Sequence, residues 1–273
     1  MIARRLDVRD ASFAVHVSGS GPVLLLVHGF PLDHSMWNAQ AALAEVARLV
    51  VPDLRGFGGS TRGAGIESVA QMADDVAAIL ADEFAAGTTD RGAIVCGLSM
   101  GGYVAQAVAA RHPAVVRGLI LVDTRLEADS PEARAGRADL AERVGRLGSR
   151  IAAEAMVPKL LATSSTGTAS RDRLEAELRR MILDTDPETI RMALAALAGR
   201  PDMTEAMGRI DVPTLAIVGE EDLITPPDVV RRFVEVMPRA ELVVLPGCGH
   251  MPPMESPAAF NRTVASFLAA NVG

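Results

Sequence analysis

Lysine is almost missing from this sequence: Lys159 stands alone among 27 basic residues. The resulting Ala- and Arg-rich usage reads as a coding bias and carries no functional message. Cysteine is nearly as scarce. Cys96 and Cys248 are the only two, too few for a disulfide framework, and nothing around them has the spacing of a metal site. They read as reduced core thiols, which favours a reducing cytoplasm. No apolar run approaches the roughly 20 residues that cross a bilayer as a helix. Met1 to Asp10 carries Arg4, Arg5 and Arg9 but no apolar stretch of signal-peptide length, so export by that route is not expected. The net charge of -7 gives no electrostatic reason to expect nucleic acid or an anionic membrane, because either favours a basic patch.

What is present is an ordinary globular balance, 273 residues with 49% apolar and 22% charged side chains. Phe13 to Val17 reads as an antiparallel opening strand. Short apolar runs without polar alternation follow at Pro22 to Val27, Arg48 to Val51, Ala93 to Cys96, Gly118 to Val122, Thr214 to Val218 and Glu241 to Leu245. Such runs predict strands buried on both faces of a mostly parallel sheet. Stretches with helical spacing lie between them, for example Val69, Met72, Ala73, Val76 and Leu80, so the fold class is α/β. From Arg125 to about Gly208 the alternation stops, and only Ala-, Leu- and Met-rich helical patterns remain. This predicts a core of residues 1–124 and 209–273 and a helical insertion over 125–208. Within the insertion, Asp186-Pro187-Glu188 marks a helix start and Thr163 to Thr168 a loop.

Gly97-Leu98-Ser99-Met100-Gly101-Gly102 fits G-x-S-x-G directly after a predicted strand and before a helical run, the context of a nucleophile elbow. A serine hydroxyl needs a base, and histidine suits that task near neutral pH. Of five histidines, His16 lies in the opening strand, His28 and His34 in or just beyond the loop after the first buried strand, and His112 at the end of the helix after Ser99. His250 is best placed, in Pro246-Gly247-Cys248-Gly249-His250 at the end of the last predicted strand. Asp222, after the strand Thr214 to Val218, supplies the carboxylate that orients the base, with Asp123 after Gly118 to Val122 as a competitor. The chain order is Ser, Asp, His. The N–H of Met100 and that of Phe30 are the expected oxyanion donors, since Pro31 has no N–H to give.

These residues resemble the α/β-hydrolase superfamily. The resemblance rests on His28-Gly29-Phe30, on Asp53 to Ser60 with its DLRGFGGS sequence, on Gly97 to Gly102, on Gly219 to Asp222 and on Gly249-His250, all in the family's order. It implies an eight-stranded, mostly parallel sheet flanked by helices, with a helical cap inserted after strand 6. Ser99 disfavours the members with an aspartate nucleophile. The chain is similar to capped serine members: 3-oxoadipate enol-lactonases, small-ester carboxylesterases, carbon–carbon bond hydrolases and cofactor-free haloperoxidases or perhydrolases. No metal or organic cofactor is implied, and the Asp53 to Ser60 stretch lacks the lysine of a phosphate loop.

The insertion contains Met156, Met181, Met192, Met203 and Met207 and no aromatic residue. The expected substrate is therefore a small or medium, mostly apolar ester or lactone. Arg125 and Trp37 stand near the predicted rim, where a structural role is the expectation for both. The competing reading from another class is a ligand receptor that binds without catalysis, because a fold does not fix a function.

Overall fold

Every residue of the runs Val23–Val27, Ala93–Leu98 and Thr214–Gly219 is buried, because helices cover both faces of the sheet they form. The computed structural model describes residues 1–86, 92–165 and 169–271. Its strands are β1 (Ile2–Val8), β2 (Ala11–Ser18), β3 (Val23–Val27), β4 (Arg48–Pro52), β5 (Ala93–Leu98), β6 (Val116–Val122), β7 (Thr214–Gly219) and β8 (Ala240–Leu245). They make one eight-stranded sheet in the order β1-β2-β4-β3-β5-β6-β7-β8. β1 and β2, and β2 and β4, pair antiparallel; all other neighbours are parallel.

The residues read one by one account for seven of these strands, and β1 is the eighth. It lies at the sheet edge, most of its residues reach solvent and Ile2 is 75% exposed, so it lacks the apolar run of a buried strand. Its antiparallel ladder with β2, from Ile2 opposite Val17 to Val8 opposite Ala11, holds it, and Arg4 adds bonds to Asp82 at 2.6 Å and Glu83 at 3.0 Å on the first α-helix. Charged side chains also protect such an edge from pairing with another chain.

The helices are α1 (Val69–Ala85), α2 (Met100–Arg111), α3 (Pro131–Leu147), α4 (Arg150–Leu160), α5 (Ala169–Asp184), α6 (Pro187–Ala198), α7 (Thr204–Met207), α8 (Pro227–Val236), α9 (Pro252–Glu255) and α10 (Pro257–Asn271). Their starts follow from the sequence. Ser68, Ser130 and Asp186 each accept a backbone N–H of the first turn, and proline opens α3, α6 and α8, where its missing N–H costs nothing. Between β6 and β7 the described residues form α3 to α7 and no strand. Thr163–Ser165 makes a short 3-10 turn, while 166–168 of the expected loop lie outside the described residues.

The segment Asp53 to Ser60 is a brace. Asp53 is fully buried; its Oδ1 accepts from the His34 backbone N–H and ring at 2.7 and 2.8 Å, and its Oδ2 from Gly59 N at 2.8 Å. The rings of His16 and His34 stack beside it, 3.5 Å between centroids. Arg55, equally buried, donates twice to Asp75 at 2.8 and 2.9 Å and once to Asp10 at 2.8 Å. These bonds tie the loop after β4 to the loop after β3, to the turn between β1 and β2 and to α1.

Candidate active site

Ser99 occupies the turn between β5 and α2 with φ +53, a left-handed conformation that a non-glycine residue adopts only when its surroundings enforce it. The enforcement is visible. Ser99 N donates to Val122 O at 2.9 Å, and its carbonyl accepts from Tyr103 N at 3.2 Å and Thr124 Oγ1 at 3.0 Å. The glycines of the motif are needed because backbone fills the space of their side chains. A Cβ on Gly97 would lie 2.0 Å from Gly101 O, and one on Gly101 would lie 2.2 Å from Val27 O and 2.8 Å from His28 O. Gly101→Ala is therefore expected to destabilise the fold by about 1–3 kcal/mol or more, since the obstructing atoms are main chain. A shift of the urea midpoint checks this; an unshifted midpoint contradicts the packing described.

His250 and Asp222 lie at the ends of β8 and β7, 3% and 2% exposed. His250 Nδ1 is 2.8 Å from Asp222 Oδ2. An ionised carboxylate only accepts, so Nδ1 carries a proton, and in the neutral ring Nε2 is the nitrogen with the lone pair. Asp222 Oδ1 accepts from Ile224 N at 2.7 Å and Thr225 N at 3.0 Å. Burial raises its carboxyl pKa, but the His250 ring, together with hydrogen bonds from Asp123 and Thr225, holds it below the ordinary aspartate value. Of the two acids considered for this role, Asp222 bonds the ring. Asp123 sits beside it, one carboxylate oxygen from each aspartate and one His250 ring nitrogen lying within 4.8 Å of one another.

Ser99 stands on the same sheet edge, two strands from Asp222 in the order β5-β6-β7, and its N–H is bonded to Val122, the neighbour of Asp123. The loop after β3 closes against it: a Cβ on Gly29 would lie 2.8 Å from Leu98 Cδ2 and 3.8 Å from Ser99 Cβ. Phe30 follows in that loop, and Met100 is the first residue of α2, among the N–H groups that a helix leaves without an intrahelical acceptor. The other histidines are structural. His28 is fully buried, its Nε2 accepts from Leu54 N at 2.9 Å, and burial lowers its pKa. His112 bonds Asp74 at 2.7 Å. Trp37 is buried against Phe260 and so is closed to a ligand, while Arg125 is half-buried and donates to Ile224 O at 2.6 Å. Met181 and Met207 are core residues; Met156, Met192 and Met203 are half-buried against it.

Sequence reasoning missed Glu255. Its Oε1 accepts from Gly249 N at 2.9 Å and Met251 N at 3.1 Å, the two neighbours of His250, and its Oε2 from Ala162 N at 2.7 Å in the insertion. His250 N in turn donates to Leu160 O at 2.9 Å. Burial pushes the Glu255 carboxyl above its ordinary pKa despite these three donors. One side chain thus clamps both flanks of the histidine and the helical insertion. Glu255→Ala leaves three N–H groups without their acceptor and is expected to cost at least about 3 kcal/mol. Urea unfolding at neutral pH measures it, and a loss under 1 kcal/mol (about one ordinary hydrogen bond) contradicts the clamp.

The comparisons with known proteins agree with this geometry. The family model for the alpha/beta hydrolase fold matches residues 22–257. A pimeloyl-(acyl-carrier protein) methyl ester esterase of Nitrosomonas europaea is 29% identical over 262 residues, covering 92% of this chain and 97% of that protein. Among solved structures, a thermophilic esterase from Thermogutta terrifontis aligns with a TM-score of 0.93 and 38% identity, covering 99% of this chain and 100% of that one. The enol-lactonase from Burkholderia xenovorans aligns with a TM-score of 0.88 and 27% identity, over 97% and 100%. The strand order, the serine turn, the paired histidine and aspartate and these matches lead to one assignment: the chain belongs to the α/β-hydrolase family, as an ester-cleaving member.

Proposed function

We propose that the chain is a serine hydrolase in which Ser99, His250 and Asp222 act as a triad on a small or medium, mostly apolar carboxylic ester or lactone. The observation that carries the reading is the 2.8 Å bond from His250 Nδ1 to Asp222, because it leaves Nε2 as a free base at the edge of the sheet where Ser99 is held. His250 Nε2 takes the hydroxyl proton as Ser99 Oγ attacks the carbonyl carbon. The N–H groups of Met100 and Phe30 stabilise the oxyanion. When the tetrahedral intermediate collapses, the C–O bond to the alcohol breaks and His250 gives that oxygen the proton. Water, deprotonated by the same nitrogen, then attacks the acyl-enzyme and releases the acid. The insertion, residues 125–208, acts as a cap over the cleft, and its aliphatic composition favours an apolar acyl group. The names of the relatives, a methyl ester esterase and an enol-lactonase, support ester and lactone substrates alike. Two free, buried cysteines support a cytoplasmic location.

A graded series of p-nitrophenyl acyl esters and a set of simple lactones test the reading. Turnover that rises with acyl length to a small or medium optimum is expected. Preference for bulky, highly charged substrates refutes the apolar pocket, and binding without turnover of any member favours a receptor.

A further inference from the structure

The mechanism above uses one of two carboxyl groups buried behind His250. The other, Asp123, sits in the turn after β6 with no exposure to solvent. Its backbone is fixed: Asp123 N donates to Ile217 O at 2.9 Å, and its carbonyl accepts from Thr225 Oγ1 at 3.2 Å. Its Oδ1 accepts from Gly219 N at 2.9 Å. Its Oδ2 is buried and, as a carboxylate oxygen, has no donor among the described residues. Asp222, within 4.8 Å of it, receives three donors, from His250, Ile224 and Thr225, against the single N–H given to Asp123. Two carboxylates this close in a buried site do not both ionise, and the charge settles on the better solvated one.

We infer that Asp123 is a neutral carboxylic acid whose Oδ2–H donates a hydrogen bond to Asp222, and that it serves as a positioning residue for the proposed ester hydrolysis. The bond gives the orphaned Oδ2 its partner, holds the Asp222 carboxylate against rotation and leaves a single negative charge on the pair of aspartates. Burial, then the charge of Asp222, push the Asp123 carboxyl well above the ordinary aspartate range, in line with the geometry. The groups that face it are Asp222 and His250 from the loops after β7 and β8, Cys248 beside His250, and Glu255 from α9. Arg125, two residues along the chain, spends an N–H on Ile224 O.

The inference rests on the hydrolase reading for its catalytic consequence but not for the position of the proton. Asp123 has φ +44, so Asn and Gly are the substitutions that its backbone accepts. Asp123→Asn keeps an acceptor for Gly219 N and replaces the O–H donor by an amide N–H. It is expected to stay within about tenfold of the parent kcat on a p-nitrophenyl ester, with the acid limb of its pH profile in place. Asp123→Gly relaxes the backbone but deletes the donor, and should lower kcat by roughly 10–100-fold, the equivalent of a hydrogen bond to a charged group. In the infrared difference spectrum of parent minus Asp123→Asn at neutral pH, a protonated carboxyl band should belong to the parent. The inference is overturned if that band is missing, if Asp123→Gly is as active as the parent, or if Asp123→Asn moves the acid limb to lower pH, as removal of a negative charge near His250 requires. Should the glycine variant fail to fold, the infrared band and the asparagine pH profile still decide. If the parent hydrolyses no ester, the hydrolase reading fails while the infrared result still tells where the proton sits.

Discussion

Ser99→Ala is expected to lower kcat for ester hydrolysis by roughly five to six orders of magnitude, the loss seen when a serine nucleophile is removed from an otherwise intact triad. The residual rate comes from the oxyanion donors and from substrate binding, which the substitution leaves in place. The fold should survive. The turn is held by main-chain bonds from Ser99 N to Val122 O and from Tyr103 N to Ser99 O, and the serine side chain makes no capping bond to α2. Side-by-side assays of parent and variant, with thermal melts to verify folding, measure both effects. Equal hydrolysis by the two proteins contradicts the assignment of the nucleophile.

Asp222→Asn should cost about four orders of magnitude in kcat with little change in structure. The local bonds dictate the direction. Oδ1 of Asp222 accepts from both Ile224 N and Thr225 N, so the amide oxygen of the variant must take that place and its NH2 must face the ring. His250 Nδ1 then becomes an acceptor, the ring proton moves to Nε2, and the base has no lone pair to offer Ser99. KM is expected to stay within a few-fold of the parent, because no substrate contact is altered. A loss shared equally between KM and kcat, or a collapse of the melting temperature, points instead to a structural role for the carboxylate.

Much of this was legible before the structure. The runs Val23–Val27, Ala93–Leu98 and Thr214–Gly219 are read as strands because they bury both faces, and G-x-S-x-G is read as an elbow because its context of strand and helix is local in the chain. Ser99, Asp222 and His250 are read from their positions at strand ends, and the structure sets them along one edge of the sheet with His250 bonded to Asp222. β1 is not read from the residues, because an edge strand exposed on most positions carries no apolar signature. Glu255 was missed for another reason: its partners are the backbone N–H groups of Gly249, Met251 and Ala162, and main-chain donors leave no mark in a sequence. In the sequence Asp123 and Asp222 are rivals for one role, since each follows a buried strand. The structure gives the histidine to Asp222 and sets Asp123 against it, a relation that depends on how the loops after β6 and β7 converge and on which carboxyl receives more donors.

The central claim, that Ser99 is an activated nucleophile, is tested most directly by labelling the protein with a fluorophosphonate probe and locating the adduct by peptide mass spectrometry. The account predicts one adduct, on Ser99, formed fast in the parent and very slowly in the Asp222→Asn variant. No adduct in the folded parent, or an adduct on any other serine at an equal rate, would contradict it.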